Sequence, residues 1–463
     1  MYKLPVFIFL LLSTNLFSQW DDTDRLPSEF HSSRRAALRI LMPDKSVAVF
    51  FSNPVRNRSN DVDYQYSQNP DFYYLSGHTE PNSMLFIFKE EQIINQVSCK
   101  EILFIRSRNP QQEIWNGTRL GINEATKLLG LTLVINNYEF ENLEFAFASM
   151  SSILVNFPYA PNSNLKERMD LKKLVEAFKN KTTIYSANYD QTKLTGFMSQ
   201  LREVKLPQEL VLMQKAIDMT NAGFAEMIKA IEPGFTEYQA QAILEFYMKK
   251  SGSEYPGYPS IVGGGRNSCV LHYVLNRKQL AKNDLLLVDM GAEYHGYTAD
   301  ITRTIPVSGH FSDQQKIIYQ IVYDAQALGI KECKPGNPFR APHNAAHSLI
   351  ALGLKNLGII RNESDVNLYF MHGTSHYLGL DVHDPGTFGP LKPNSVITVE
   401  PGIYIPENSP CDKKWWNIGV RIEDDVLITE TGHKVLSEAL TSTIEGIEKL
   451  MREESPFTRI TKQ

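Results

Sequence analysis

The chain has 463 residues, too many for one ordinary core, so two or three domains are expected. Apolar residues make up 42% and charged residues 21%, which excludes a disordered chain. With 47 basic against 52 acidic residues the net charge is −5 and no polybasic run is present, so neither nucleic acid nor anionic lipid is an expected partner.

At the N-terminus, Lys3 precedes an apolar stretch over residues 4–12, and small or polar residues follow at Ser13, Thr14 and Ser18. This reads as a secretory signal over residues 1–18. The nine apolar residues are too few to cross ~30 Å of hydrocarbon as a helix, so no stable membrane span is expected after cleavage. Export to the periplasm or beyond follows; an uncleaved anchor is the alternative. Cys99, Cys269, Cys333 and Cys411 are scattered with no CxxC pair. They argue against a Cys-zinc site and against a disulfide scaffold, and each reads as a small buried hydrophobe.

Residues 29–41 read as a short helix, 46–52 as a strand and 53–60 as loop. Residues 72–75 and 84–88 read as strands split by SGHTEPNS, followed by a strand at 101–105. A helix is expected at 122–129, with strands at 131–135 and 152–156. This alternation predicts an α/β domain over residues 26–195. A second domain is expected over residues 205–452. Pro207 suits the first turn of a helix that runs to 231, where Pro233 and Gly234 end it. Thr236 caps a helix over 237–249, and strands are expected at 260–262 and 270–273.

Residues 285–307, LLLVDMGAEYHGYTADITRTIPV, read as two strands around a turn at Gly296. Asp289 and Asp300 lie on opposite arms, and a one-residue bulge would put both on one face. Two carboxylates forced together need a proton or a cation between them. A metal held by both is one reading; an edge hairpin with two solvated acids is the other. Helices follow at 313–328 and 344–357, strands at 396–400, 418–428 and 434–437, and Ser442 with Glu445 makes a capping box for a last helix.

Three further segments carry suspicious residues. MHGTSHYLGLDVHDPG holds His372, His376 and His383, although Gly373, Thr374 and Ser375 make a poor helix. In VITVEPGIY, Glu400 ends an apolar strand, where a buried acid is costly unless paired or bound to metal. In NIGVRIEDDVLI, Arg421 and Glu423 are two apart and share a strand face. They form either a structural ion pair or part of a site. Taken together, Asp289, Asp300, His376, Glu400 and Glu423 offer four carboxylates and one imidazole. That donor set suits Mn²⁺, Co²⁺, Fe²⁺ or Zn²⁺, and its charge suits two ions sharing a hydroxide.

The motifs VDMGAEYHGYTADITRT, HGTSHYLGLDVHD, VEPGIY and GVRIED resemble the pita-bread metallopeptidases, which include methionine aminopeptidase, aminopeptidase P and prolidase. The segments YQYSQNPDFYYLSGHTEPNSML and EIWNGTRLG resemble the extra N-terminal domain of aminopeptidase P. The resemblance implies an α/β N-terminal domain followed by an α+β pita-bread domain, a curved antiparallel sheet flanked by helices. It implies cleavage of the Xaa-Pro bond at a peptide N-terminus by a metal-bridging hydroxide. Xaa-Pro dipeptidase is the runner-up activity, and a peptide-binding relative without catalysis is the alternative class. By the same resemblance Asp300 and Glu423 bridge two divalent ions, Mn²⁺ first among the candidates. Asp289 completes one side; His376 and Glu400 complete the other. Glu400 also shuttles a proton, and His272 and His383 hold the scissile carbonyl or the oxyanion. His372 and Tyr404 line the pocket for the proline ring, and Arg421 keeps Glu423 and the substrate end of the site in register. The family also implies a homo-oligomer, a dimer or a tetramer. Trp115 reads either as reaching a neighbouring subunit's site or as an ordinary core tryptophan.

Overall fold

The computed structural model describes residues 24–159 and 167–457. The expected signal segment lies outside the described residues. The chain divides into two compact units, Met1–Leu194 and Thr195–Gln463.

The first unit is built on one sheet. Its strands are β1 (Ser46–Phe51), β2 (Met84–Ile94), β3 (Val97–Ile105), β4 (Val134–Asn136), β5 (Ser152–Val155) and β6 (Tyr189–Asp190), in the order β4-β3-β2-β1-β5-β6. β1 runs antiparallel to β2 and parallel to β5, so the sheet is mixed. β1 is buried along its whole length, as an apolar run in a covered central strand should be. Phe86 on β2 packs edge-on against Phe104 on β3 and against Phe178 of α2 (Leu171–Thr182). Helix α1 (Ser28–Leu41) covers the expected span.

Two expectations fail in this unit. The stretch at 72–75 is not a strand but part of a helix, Pro70–Ser76. The Asn69 side chain accepts the Phe72 N–H at 3.0 Å and Pro70 fills the first turn, so capping outweighs the β preference of the aromatic run. The loop expected at 53–60 contains half of a small hairpin, Asn57–Ser59 with Val62–Asp63. Trp115 is 85% exposed, which removes the core reading for it. All four cysteines are unpaired.

The second unit begins with α3 (Pro207–Ala230) and α4 (Glu237–Lys250). Strands β7 (Ile261–Gly264), β8 (Leu285–Met290) and β9 (Ile301–Pro306) form one antiparallel sheet. After α5 (Asp313–Lys331) and α6 (Ala341–Asn356) come β10 (Val396–Val399), β11 (Gly402–Ile405), β12 (Ile418–Arg421) and β13 (Asp424–Ile428). β10 pairs with β13 and β11 with β12, again antiparallel. A bridge between Thr302 and Glu423 joins the two groups of strands. This is the α+β arrangement expected from the sequence. The single strand expected at 418–428 is broken after Arg421, and residues 270–273 form no strand. The last helix, Ile444–Leu450, is capped by Thr443, whose hydroxyl accepts the Gly446 N–H at 3.1 Å. Ser442, the expected cap, instead gives its carbonyl to the Tyr319 hydroxyl at 2.7 Å.

The hairpin at 285–307 forms without a bulge. Asp289 faces Thr302, Met290 faces Ile301, and nearer the turn Tyr294 faces Tyr297, all in one register. His295 and Gly296, at φ 49° and 84°, make the two-residue turn that such a ladder needs. Asp300 therefore lies two residues from Thr302, the partner of Asp289. Diagonal neighbours share a face of the pleat, so no inserted residue is required.

The segment after His376 is fastened by a buried carboxylate. Asp384 receives the Lys205 ammonium at 2.9 Å on one oxygen and the Arg202 guanidinium on the other. Burial alone would raise the Asp384 carboxyl, but the two cations override it and hold it below the ordinary range. Its folded pKa is depressed, so its stabilisation is complete above the unfolded value of ~3.9 and is lost as the pH falls below that. Asp384→Asn leaves two buried cations facing an amide and is expected to cost about 3–5 kcal/mol in denaturant unfolding. The variant is also expected to lose part of the acid-side fall in stability below about pH 4. An unchanged midpoint and slope would remove the anchoring role.

Candidate functional site

A cavity of about 560 Å³ opens in the second unit, and Asp289, Asp300, His376, Glu400 and Glu423 all line it. Asp289 comes from β8, and Asp300 immediately precedes β9. Glu400 follows β10 directly, and Glu423 occupies the break between β12 and β13. His376 is not on a helix. Its segment runs beside β10, where the Thr398 N–H donates to the His376 carbonyl at 3.0 Å and the Glu400 N–H to that of Thr374 at 2.9 Å. Backbone pairing thus sets the imidazole beside the acid that ends the strand.

The donor atoms converge. Asp300, His376 and Glu423 each present a ligand atom, all within 4.8 Å of one another. His376 Nε2 lies 3.3 Å from Asp300 Oδ2 and 3.8 Å from Glu400 Oε1. The other ring nitrogen of His376 lies 3.0 Å from the Tyr377 carbonyl, which fixes the ring's orientation.

Four carboxylates here face two cationic groups, and the electrostatics record the imbalance. Burial pushes Glu423 well above the carboxylate range, and the charges of Asp300, Glu400 and Asp289 push it further. Burial raises Glu400 to about 7, against the pull of His376 and Arg421. Burial would lower His376, but the hydrogen bond and charge of Asp300, then Glu400, lift it to about 9. A proton on His376 does part of a cation's work in this cluster. Oxygen-rich donors with one nitrogen, short of positive charge and oriented from behind, fit divalent metal ions.

Arg421 does not pair directly with Glu423, contrary to the ion-pair reading of that strand. Its guanidinium donates to Asp289 Oδ2 at 2.6 Å, to the Tyr404 hydroxyl at 2.9 Å and to the Thr302 hydroxyl at 3.2 Å. Thr302 in turn donates to Glu423 Oε2 at 2.6 Å, so a hydroxyl relays between them. The break after Arg421 allows this, because it turns Glu423 toward β9.

His272, His372 and His383 also line the cavity. The His383 ring meets the His376 ring edge-on at 4.3 Å. Burial lowers His372 to about 4, and Arg421 lowers it further, so it is neutral at physiological pH. Its Nε2 lies 2.8 Å from the Tyr404 hydroxyl. Tyr404 itself is fully buried behind His372 and Arg421 rather than on the wall.

Sequence reasoning missed two groups. Tyr258 lines the cavity, and its hydroxyl lies 2.6 Å from both Asp289 Oδ1 and Asp300 Oδ1. Burial and these two charges raise its pKa far above 10, so the phenol keeps its proton as a donor. Asp425 is fully buried behind Asp300, whose N–H it accepts at 3.2 Å. The only signal for Asp425 was the doubled acid in IEDD; Tyr258, in the turn-like YPGYPS, gave none.

Residues 211–430 match the model of metallopeptidase family M24, and residues 31–152 match the aminopeptidase P N-terminal domain. The chain is 35% identical to the Xaa-Pro aminopeptidase of Haemophilus influenzae over 92% of its own length and 98% of that protein's. It is 33% identical to the Xaa-Pro aminopeptidase of Escherichia coli, over 91% and 97% of the two chains. The solved aminopeptidase of Pseudomonas aeruginosa superposes with a TM-score of 0.81 at 32% identity, covering 92% of this chain and 98% of that one.

Glu423→Gln replaces a carboxyl that the metal-free cluster can hold only by protonating it, and keeps an acceptor for Thr302. In chelator-treated protein near neutral pH this variant is expected to melt higher than the parent, by roughly 2–4 °C per kcal/mol of protonation cost removed. A lower midpoint in metal-free buffer would contradict the charge imbalance described above.

Proposed function

The chain belongs to metallopeptidase family M24 and carries the aminopeptidase P N-terminal domain, and from that membership and its cavity we infer an Xaa-Pro aminopeptidase. It is a metal-dependent exopeptidase that removes the N-terminal residue from peptides with proline in second position. The observation that carries the reading is the convergence of Asp300, His376 and Glu423 within a cavity also lined by Asp289 and Glu400.

Asp289, Asp300, His376, Glu400 and Glu423 would together hold the two divalent ions. Divalent ions supply Lewis acidity and make hydroxide available near neutral pH when bound. Mn²⁺ is our choice of ion, on the preponderance of oxygen donors. The rest of the chemistry belongs to the side chains. Glu400, raised to about 7, accepts and returns a proton close to working pH. His272 and His383 hold the carbonyl oxygen as charge develops on it. His372 faces the proline ring with Tyr404 behind it, and Arg421 locks Asp289 and, through Thr302, Glu423. An X–Pro bond has no N–H and a fixed φ, so enzymes that bind substrate as a strand lose a contact there. A rigid cavity does not depend on that contact. Export, from the leader composition, and assembly into a homo-oligomer complete the proposal.

Asp300→Ala is expected to lower turnover of an X-Pro tripeptide at least ~10²-fold with the fold retained by circular dichroism. Chelation should abolish activity and Mn²⁺ should restore it, with the melting midpoint rising as metal returns. Near-normal turnover in Asp300→Ala would remove the metal role. A dipeptide such as Ala-Pro, compared with a tripeptide of the same start, separates the two activities: cleavage of the dipeptide alone would favour a dipeptidase.

A further inference from the structure

Glu237 opens α4, away from the cavity wall, and is fully buried. Its Oε1 accepts from the Gly264 N–H and from Asn267 Nδ2, both at 2.8 Å. Its Oε2 accepts from the Tyr273 hydroxyl at 2.9 Å and from the Lys278 N–H at 2.8 Å. All four donors are neutral groups, and they come from the beginning, middle and end of one connection, between β7 and β8. That connection carries His272. From residue 270 to 275 it has no regular secondary structure, and Val270, Val274 and Leu275 are exposed. Leu271 packs against Ile261, Leu287 and Tyr404 on one side of His272, and on the other side, where the chain is exposed, the polar tether at Tyr273 decides where it sits.

The wrap around the carboxylate is built into the backbone. A Cβ at Gly264 would lie 2.3 Å from Leu280 Cδ2 and 3.4 Å from Glu237 Oε1, so a side chain there would push the N–H away from its acceptor. A carboxylate suits the position because both oxygens accept and neither donates. A glutamine would turn an NH₂ toward donors on one side. Tyr273 is the residue next to His272, and its hydroxyl ties the exposed middle of the loop to this buried hub.

We propose that Glu237 is a positioning residue for the hydrolysis, acting through Tyr273 to hold His272 over the cavity. The proposal rests on the reading of His272 as a group that meets the scissile carbonyl. A misplacement of about 1 Å in such a group costs up to ~10² in rate, so a tether need not touch substrate to matter.

The test is a kinetic cycle on the metal-loaded full chain with an X-Pro tripeptide. Tyr273→Phe is expected to lower kcat about 10-fold with KM, metal content by elemental analysis and melting midpoint nearly unchanged. Glu237→Gln is expected to lower kcat more, by about 10²-fold. His272→Ala alone should cost about 10²–10³. In the His272→Ala background, Tyr273→Phe should then cost nothing further, because the group it positions is gone. Wild-type kcat in Tyr273→Phe beside a crippled His272→Ala would overturn the positioning role alone. An equal loss from Tyr273→Phe in both backgrounds would overturn it too, as a general structural effect. Near-normal turnover in His272→Ala would instead remove the reading of His272 on which the proposal stands. Should Glu237→Gln fail to fold, the Tyr273 arm decides by itself.

Discussion

Four carboxylates share one cavity with a single guanidinium, only the imidazole of His376 lies within 4 Å of both Asp300 and Glu400, and the second unit is arranged around that imbalance. Asp289, Asp300 and Glu423 are each at most 8% exposed, so water cannot screen them. A buried anion is tolerated only with a partner, and Arg421 is already committed to Asp289. What remains is met by protons: burial holds Glu423 and Glu400 high, and Asp300 keeps one proton on His376. A cluster that holds protons this firmly is one in which divalent cations would take their place.

The scaffold answers the same constraint. The acids sit where strands end or break, so their backbones are held by ladders while their side chains point into one space. Asp289 and Asp300 converge because diagonal partners share a pleat face. Glu423 reaches them because the chain breaks after Arg421 and bridges to Thr302. Thr302 then links Arg421 to Glu423 through one hydroxyl, joining the first group of strands to the second. Arg421 and Glu423, both in the second group, are thus connected through a hydroxyl of the first that adds no charge to the site.

Much of this was legible in the chain. The five acid and histidine positions stand out because acids at the ends of apolar strands are rare unless they are used. The long helices followed from their apolar spacing. The failures are physical rather than random. Residues 72–75 look like a strand because Phe and Tyr favour strands, but Asn69 and Pro70 start a helix just before them. Residues 270–273 look β-rich, yet the loop is governed by Glu237, more than 30 positions away in sequence. For Arg421 and Glu423, alternation along a strand could not choose between an ion pair and a shared site, because it says nothing about where the strand breaks. Tyr258 was invisible because a tyrosine among prolines and glycines signals only a turn. Long-range side-chain hydrogen bonds leave no periodic trace, and they supply most of what was missed.

The same contrast separates the parts of the site by rigidity. The metal-side acids are fastened by strand ladders, and His383 is followed by Asp384, clamped between Arg202 and Lys205. His272, His372 and His383 all ride on irregular segments, but His272 lies on the one where Val270, Val274 and Leu275 are exposed. The 270–275 loop forms an exposed wall, and a phenol ties it to a buried carboxylate so that His272 keeps its place there. Hydrogen bonds from neutral donors suit that task better than an ion pair would. They are directional enough to set a position, are worth about 1.5–3 kcal/mol net each to a charged acceptor, and add no further charge beside the cavity.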